Sequence, residues 1–142
     1  TDFFVPREMT EESPVKLGPF SIRCRKTDHH VPTTAVKITA GALTLGYSSD
    51  TAYDETLIEW LSDADLVIHE TNVATHTPYE KLAALPQVLR QKMRLIHYPD
   101  DFDKENSVIE PLRQGIRYHV CQAPQRDGTV KELPNVLKRG SP

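Results

Sequence analysis

A chain of 142 residues is long enough for one domain with its own core and short of the size at which two are expected. Its formal charge of −3, with 17 basic and 20 acidic residues interspersed, provides no basic stripe to neutralise a nucleic-acid backbone, so such a substrate is unsupported though not excluded. Cys24 and Cys121 lack CxxC spacing and fit two reduced thiols in a cytoplasmic protein better than a disulfide framework, and no apolar run approaches the roughly 20 residues of a membrane span.

Residues 1–19 carry three prolines and residues 123–142 are polar with three more, so both ends are expected to be loops or extensions around a domain at 20–122. Phe20, Ile22 and Cys24 alternate with polar residues as in a half-buried strand. Ala35, Val36 and Ile38 suggest a second strand, able to pair antiparallel with the first. Residues 42–47 form a third strand, after which Asp54 is placed to cap a helix whose Leu57, Ile58 and Leu61 recur at helical spacing. A buried strand is expected over 65–70. The run Thr77-Pro78-Tyr79-Glu80 then reads as a helix start, with a capping residue, proline at the first helical position and glutamate at the third. Residues 94–97 predict another strand, 108–114 a short helix ended by Gly115, and 115–120 a last strand. In the tail, Leu133, Val136 and Leu137 are compatible with one helical turn.

Strands alternating with helices imply parallel pairing, and ligands of such sheets collect beyond the carboxyl ends of the strands. Asp50, Glu70 and His97 each follow an apolar run directly and would meet along that edge. Polar residues also end strands for ordinary reasons, and Asp50 in Ser-Ser-Asp-Thr suits a turn or a helix cap. His29, His97 and a carboxylate such as Asp50 are nevertheless ligand types that zinc, manganese or iron accept. In a strand, His29 and His30 would point to opposite faces, so at most one of them would face a shared site.

The run Gly46-Tyr47-Ser48-Ser49-Asp50-Thr51, then Leu57-Ile58, then Ala64-Asp65-Leu66-Val67-Ile68-His69-Glu70-Thr71, resembles the ribonuclease Z pattern of a strand end, a helix and a strand closing on His-Glu. His29-His30-Val31-Pro32 is similar to that family's preceding histidine motif, with His29 in register and His30 as a substitute. Leu95-Ile96-His97 resembles its last motif, whereas the Tyr98-Pro99-Asp100-Asp101 that follows departs from it and argues against transfer-RNA processing. The resemblance is to the metallo-β-lactamase superfamily, ribonuclease Z and phosphodiesterase-like branch. It implies an α/β fold: the C-terminal half of an αββα sandwich, a mixed sheet with helices on one face. It further implies His29 and His97 as terminal ligands and Asp50 as the bridge of two divalent metal ions, zinc foremost with manganese or iron as alternatives. Glu70 and His76 resemble a pair that assists proton transfer.

The superfamily signature His-x-His-x-Asp-His does not occur in the 142 residues. The resemblance therefore implies a metal-dependent hydrolase, of phosphodiesterase type, of which this chain is an incomplete portion and inactive alone. The expected partner is the missing N-terminal half or a second subunit covering the open sheet face, with a small-molecule or nucleotide phosphodiester as substrate and no membrane. Two other readings stand beside it: a hydrolase of lactams, thioesters or lactones, and a non-catalytic interaction or oligomerisation module.

Overall fold

The computed structural model describes residue 3, residues 6–120 and residues 137–139. A six-stranded sheet comprises β1 (Val15–Leu17), β2 (Phe20–Lys26), β3 (Thr34–Ala40), β4 (Leu43–Tyr47), β5 (Leu66–Glu70) and β6 (Met93–Ile96), in that spatial order. The first four pair antiparallel, through two-residue turns except for a seven-residue loop between β2 and β3, and β4, β5 and β6 pair parallel. The sheet is thus mixed, as expected, and the two parallel connections carry the helices: α1 (Glu55–Leu61) between β4 and β5, then α2 (Tyr79–Ala83) and α3 (Gln87–Gln91) between β5 and β6. A further antiparallel pair joins β7 (Tyr118–Val120) to β8 (Leu137–Arg139).

Alternation along the strands divides the sheet into two unlike faces. Lys37, Gly46, Val67 and Met93 lie in one row across four strands, on the face that also carries Ala35, His69 and Leu95. This face is closed: it packs against Leu57, Ile58 and Leu61 of α1 and against Leu82 and Ile109. Gly46 permits the approach of α1, since a Cβ there would lie 2.9 Å from Cδ2 of Leu61. Lys37, an amine with 6% exposure, is retained in this layer because its Nζ reaches Asp63 at 2.8 Å and sits 4.6 Å over the Trp60 ring. On the other face Ile22, Val36, Ile38, Leu45, Tyr47 and Ile68 are only half-buried. Residues near the N-terminus cover part of it, where the Thr10 carbonyl accepts from the buried Cys24 thiol at 3.3 Å and Glu11 accepts from the Lys26 amide at 2.9 Å.

Several local expectations are corrected. Within 1–19, expected to be a loop or an extension, Val15–Leu17 adds one edge strand to the sheet. The segment 108–114 is not a helix: Pro111 has no N–H to donate to one, Ile109 is buried, and Leu95 exchanges backbone bonds with Glu110 and Leu112, covering the free edge of β6. Asp54 caps α1 as expected, accepting from the Thr56 amide at 2.8 Å. Thr77 does not cap α2: Pro78 takes that position without a side-chain bond, while the Thr77 hydroxyl donates to the Thr51 carbonyl at 3.0 Å. Helix α3 had no counterpart in the sequence pattern. Cys121, Leu133 and Val136 lie outside the described residues, and Leu137 begins β8. Among the described residues no helix is long and apolar enough to cross a membrane.

Two measurements test this packing. Gly46→Ala is expected to destabilise the fold by about 1 kcal/mol, the low end of overpacking costs because the obstructing atom ends a side chain, and thermal unfolding reads it directly. His69, 1% exposed with Nδ1 2.7 Å from the Glu70 carbonyl oxygen, is pushed down by burial to about 4 from an ordinary value of 6.5. The unfolded chain therefore binds the proton first. Stability is fully present above pH 6.5 and falls as pH drops from 6.5 toward about 4, by an amount on the order of 3 kcal/mol. Urea titrations across this window, with His69→Gln as the variant that loses this component, would show it.

Candidate metal centre

The carboxyl ends of β4, β5 and β6 deliver Asp50, Glu70 and His97 to one place, and the β2–β3 loop and the loop before α2 add His29 and His76. Nδ1 of His97 lies 3.2 Å from one Asp50 oxygen, and Nε2 of His29 lies 4.0 Å from the other. One ligand atom from each of Asp50, His76 and His97 falls within 4.8 Å of the others. The His76 ring stands 5.0 Å from that of His29 and 4.9 Å from that of His97, so three imidazoles surround one carboxylate. His29 and His30 occupy a loop and not a strand; the His29 side chain is 3% exposed and faces Asp50, whereas His30 is exposed, its ring 4.2 Å from that of His29 and tilted 57° to it.

Glu70 binds the loops together from beneath. Its carboxylate is buried, and Oε1 accepts from the amides of Thr51 at 3.0 Å and Thr77 at 3.3 Å, with Nδ1 of His76 at 3.1 Å. The backbone of Glu70 is held in turn, its amide donating to the Ser48 hydroxyl at 3.0 Å. The Thr27 hydroxyl donates to the Asp50 carbonyl at 2.8 Å, which ties the loop of His29 to the loop of Asp50. The Asn72 carboxamide donates to the His97 carbonyl at 2.8 Å. Ser49, Ala74 and His97 have φ of 57°, 61° and 54°, and are the non-glycine residues in the left-handed region among those described. Each lies on a loop of the centre, where strain on the order of 1–3 kcal/mol per residue is sustained by the bonds just named.

A cation suits this donor set. Glu70 Oε2 and His29 Nδ1 are buried without a hydrogen-bond partner among the described residues, and Oε2 lies 3.9 Å from His97 Nδ1. Two carboxylates and three imidazoles in so small a volume offer several metal-ligating atoms, with no lysine or arginine among them. His76 belongs to the ligand-distance cluster, a position that its likeness to a proton-transfer residue had not suggested. Thr27 and Asn72 have no signal in the sequence, since each acts through a partner 23 to 25 residues away and belongs to no motif, and Ser48 stands inside the Gly46–Thr51 run without any sign of its bond to the Glu70 amide.

The family model described as Anti-Pycsar protein Apyc1 matches residues 1–118. A cAMP/cGMP-dependent 3′,5′-cAMP/cGMP phosphodiesterase B of Dictyostelium discoideum is 32% identical over 102 residues, 58% of this chain and 9% of its own length. The metallo-β-lactamase-fold protein YhfI of Bacillus subtilis is 41% identical over 61 residues, 43% of this chain and 25% of its own. The YhfI crystal structure superposes with a TM-score of 0.59 at 27% identity, covering 69% of this chain and 44% of YhfI. The short form of human tRNase Z, at 16% identity, a TM-score of 0.50 and 63% and 41% coverage, shares the fold. The chain spans a quarter or less of the length of these two curated relatives. A match over residues 1–118, on a sheet that superposes with metallo-β-lactamase-fold proteins, makes this chain a member of the Apyc1 anti-Pycsar family within the metallo-β-lactamase superfamily.

Proposed function

We propose that this chain supplies one part of a metal-dependent phosphodiesterase acting on a nucleotide phosphodiester, a 3′,5′-cyclic nucleotide foremost. The observation that carries the reading is the cluster of Asp50, His76 and His97 with His29 beside it, at the carboxyl end of a sheet shared with metallo-hydrolases. The names of two relatives support the bond class: the Dictyostelium protein is a cyclic-nucleotide phosphodiesterase, and YhfI is named a probable metallo-hydrolase. A divalent cation, when bound, supplies Lewis acidity toward the phosphoryl oxygens and acidifies the attacking water. Asp50, with one oxygen toward His97 and the other toward His29, is suited to hold two such ions, and His29 and His97 to complete opposite sides. Zinc fits imidazole and carboxylate donors, as do manganese and iron.

His76 has Nδ1 on the Glu70 carboxylate, which leaves Nε2 for the centre. From there it can donate a proton to the departing oxygen, with Glu70 orienting the ring. The ligand-distance cluster favours a second role, His76 as a ligand, and one variant separates the two. The remaining ligands of a two-metal site would come from outside these 142 residues, since the His-x-His-x-Asp-His run is absent from them. The same outside segment, an upstream half or a second copy, would cover the half-buried sheet face of Ile38, Leu45 and Ile68.

Asp50→Ala in the complete protein is expected to lower both bound metal and turnover of a cyclic nucleotide by more than about 100-fold, beyond the 10–100-fold that changes around a ligand produce. Unchanged metal content and unchanged activity would instead favour the interaction module. His76→Ala is expected to reduce kcat by about 10²–10⁴-fold with full metal content, as for loss of a general acid. If elemental analysis finds metal lost as well, His76 is a ligand.

A further inference from the structure

Beside the centre opens a cavity of about 640 Å³, within the range of small-molecule sites. Its walls continue the loops of the centre: Asn72 follows Glu70, Tyr79 follows His76, and Phe102 follows His97. Cavity and centre share a bond, because the Asn72 carboxamide that lines the one supports the His97 carbonyl of the other. Tyr79 and Phe102 meet edge to face, with centroids 5.1 Å apart at 79°. The Tyr79 hydroxyl is fixed by the Val108 amide at 2.8 Å and the Ser107 hydroxyl at 3.1 Å, which holds the ring in place without a ligand.

Charge narrows the occupant. Glu80, Asp101 and Asp103 stand around the same cavity. Asp103 remains ionised, its carboxyl held below the usual range by hydrogen bonds from the side chain and then the backbone amide of Asn106. Three carboxylates repel a second phosphate group and the polyanionic backbone of a longer nucleic acid. An aromatic cavity with acidic edges instead suits a planar, uncharged group that carries N–H donors. In a nucleotide diester whose phosphate sits on the metal centre, the base is the part of that description.

Resting on the phosphodiesterase reading, we propose that this cavity seats the nucleobase of a single-phosphate nucleotide, with Phe102 and Tyr79 as specificity-determining contacts and the carboxylate rim excluding longer polyanions. The test compares a nucleoside 3′,5′-cyclic monophosphate with the methyl riboside 3′,5′-cyclic phosphate that lacks the base, in the complete metal-loaded protein. The base-bearing substrate is expected to be preferred in kcat/KM by about tenfold or more, chiefly through KM, as base-aromatic stacking implies. Phe102→Leu keeps apolar volume for packing and removes the ring face; it is expected to narrow that ratio to about threefold or less. A wild-type protein without preference, or a variant that loses both substrates in equal proportion, overturns the cavity assignment and leaves the hydrolytic reading standing. If neither compound is hydrolysed the phosphodiesterase reading fails, and calorimetric titration with the intact cyclic nucleotide then decides the cavity. Binding weakened about fivefold or more by Phe102→Leu retains the assignment, and equal or absent binding removes it.

Discussion

The arrangement depends on one buried carboxylate. Glu70 is 1% exposed, and one of its oxygens receives two backbone amides and an imidazole. A polar group so deep is tolerated only when it has partners, so folding must bring Thr51, His76 and Thr77 to this oxygen or leave it unsatisfied. This requirement positions the loops on either side. The amide of Thr51 fixes the residue after Asp50, and the amide of Thr77 fixes the residue after His76. Loop geometry is thereby specified through backbone groups one residue removed from Asp50 and His76, which leaves the Asp50 carboxylate and Nε2 of His76 open to the centre.

Much of this was legible in the residues, for reasons that differ from element to element. Strands β2 and β3 alternate cleanly because one face is sealed and the other half-open, and Asp54 announces α1 because side-chain capping is local. Asp50, Glu70 and His97 could be placed together since each ends an apolar run and parallel strands align such ends. What failed was decided by long-range demands. Thr77 looks like a cap by its neighbours, yet its amide and hydroxyl serve Glu70 and the Thr51 carbonyl. The stretch around Pro111 has the apolar content of a helix, yet it is drawn to the unpaired edge of β6, where Leu95 needs backbone partners. The role of Asn72 at His97 spans 25 residues and has no local trace.

The two sheet faces also carry different obligations. The helix-bearing face is complete, down to a lysine whose amine has both a carboxylate and an indole for company. The opposite face keeps Ile22, Val36, Ile38 and Ile68 in an intermediate state, and the described part of the N-terminal segment meets it at Cys24 and Lys26. Apolar surface of that kind is stabilised when something lies on it. The centre sits at the end of this same sheet, so whatever covers the face is also well placed to approach the histidines.

Strand order in space is strand order in the chain, from β1 to β6. No strand has to be threaded between two already joined, so the sheet can grow by accretion as the polypeptide emerges, each new strand docking on the edge left by the last. The antiparallel meander closes over turns of a few residues and can form early, whereas each parallel addition must first close a longer loop carrying a helix. His97 arrives with the last of these additions. A chain halted before β6 would possess most of the sheet and lack His97, and with it the 3.2 Å approach of an imidazole to the Asp50 carboxylate.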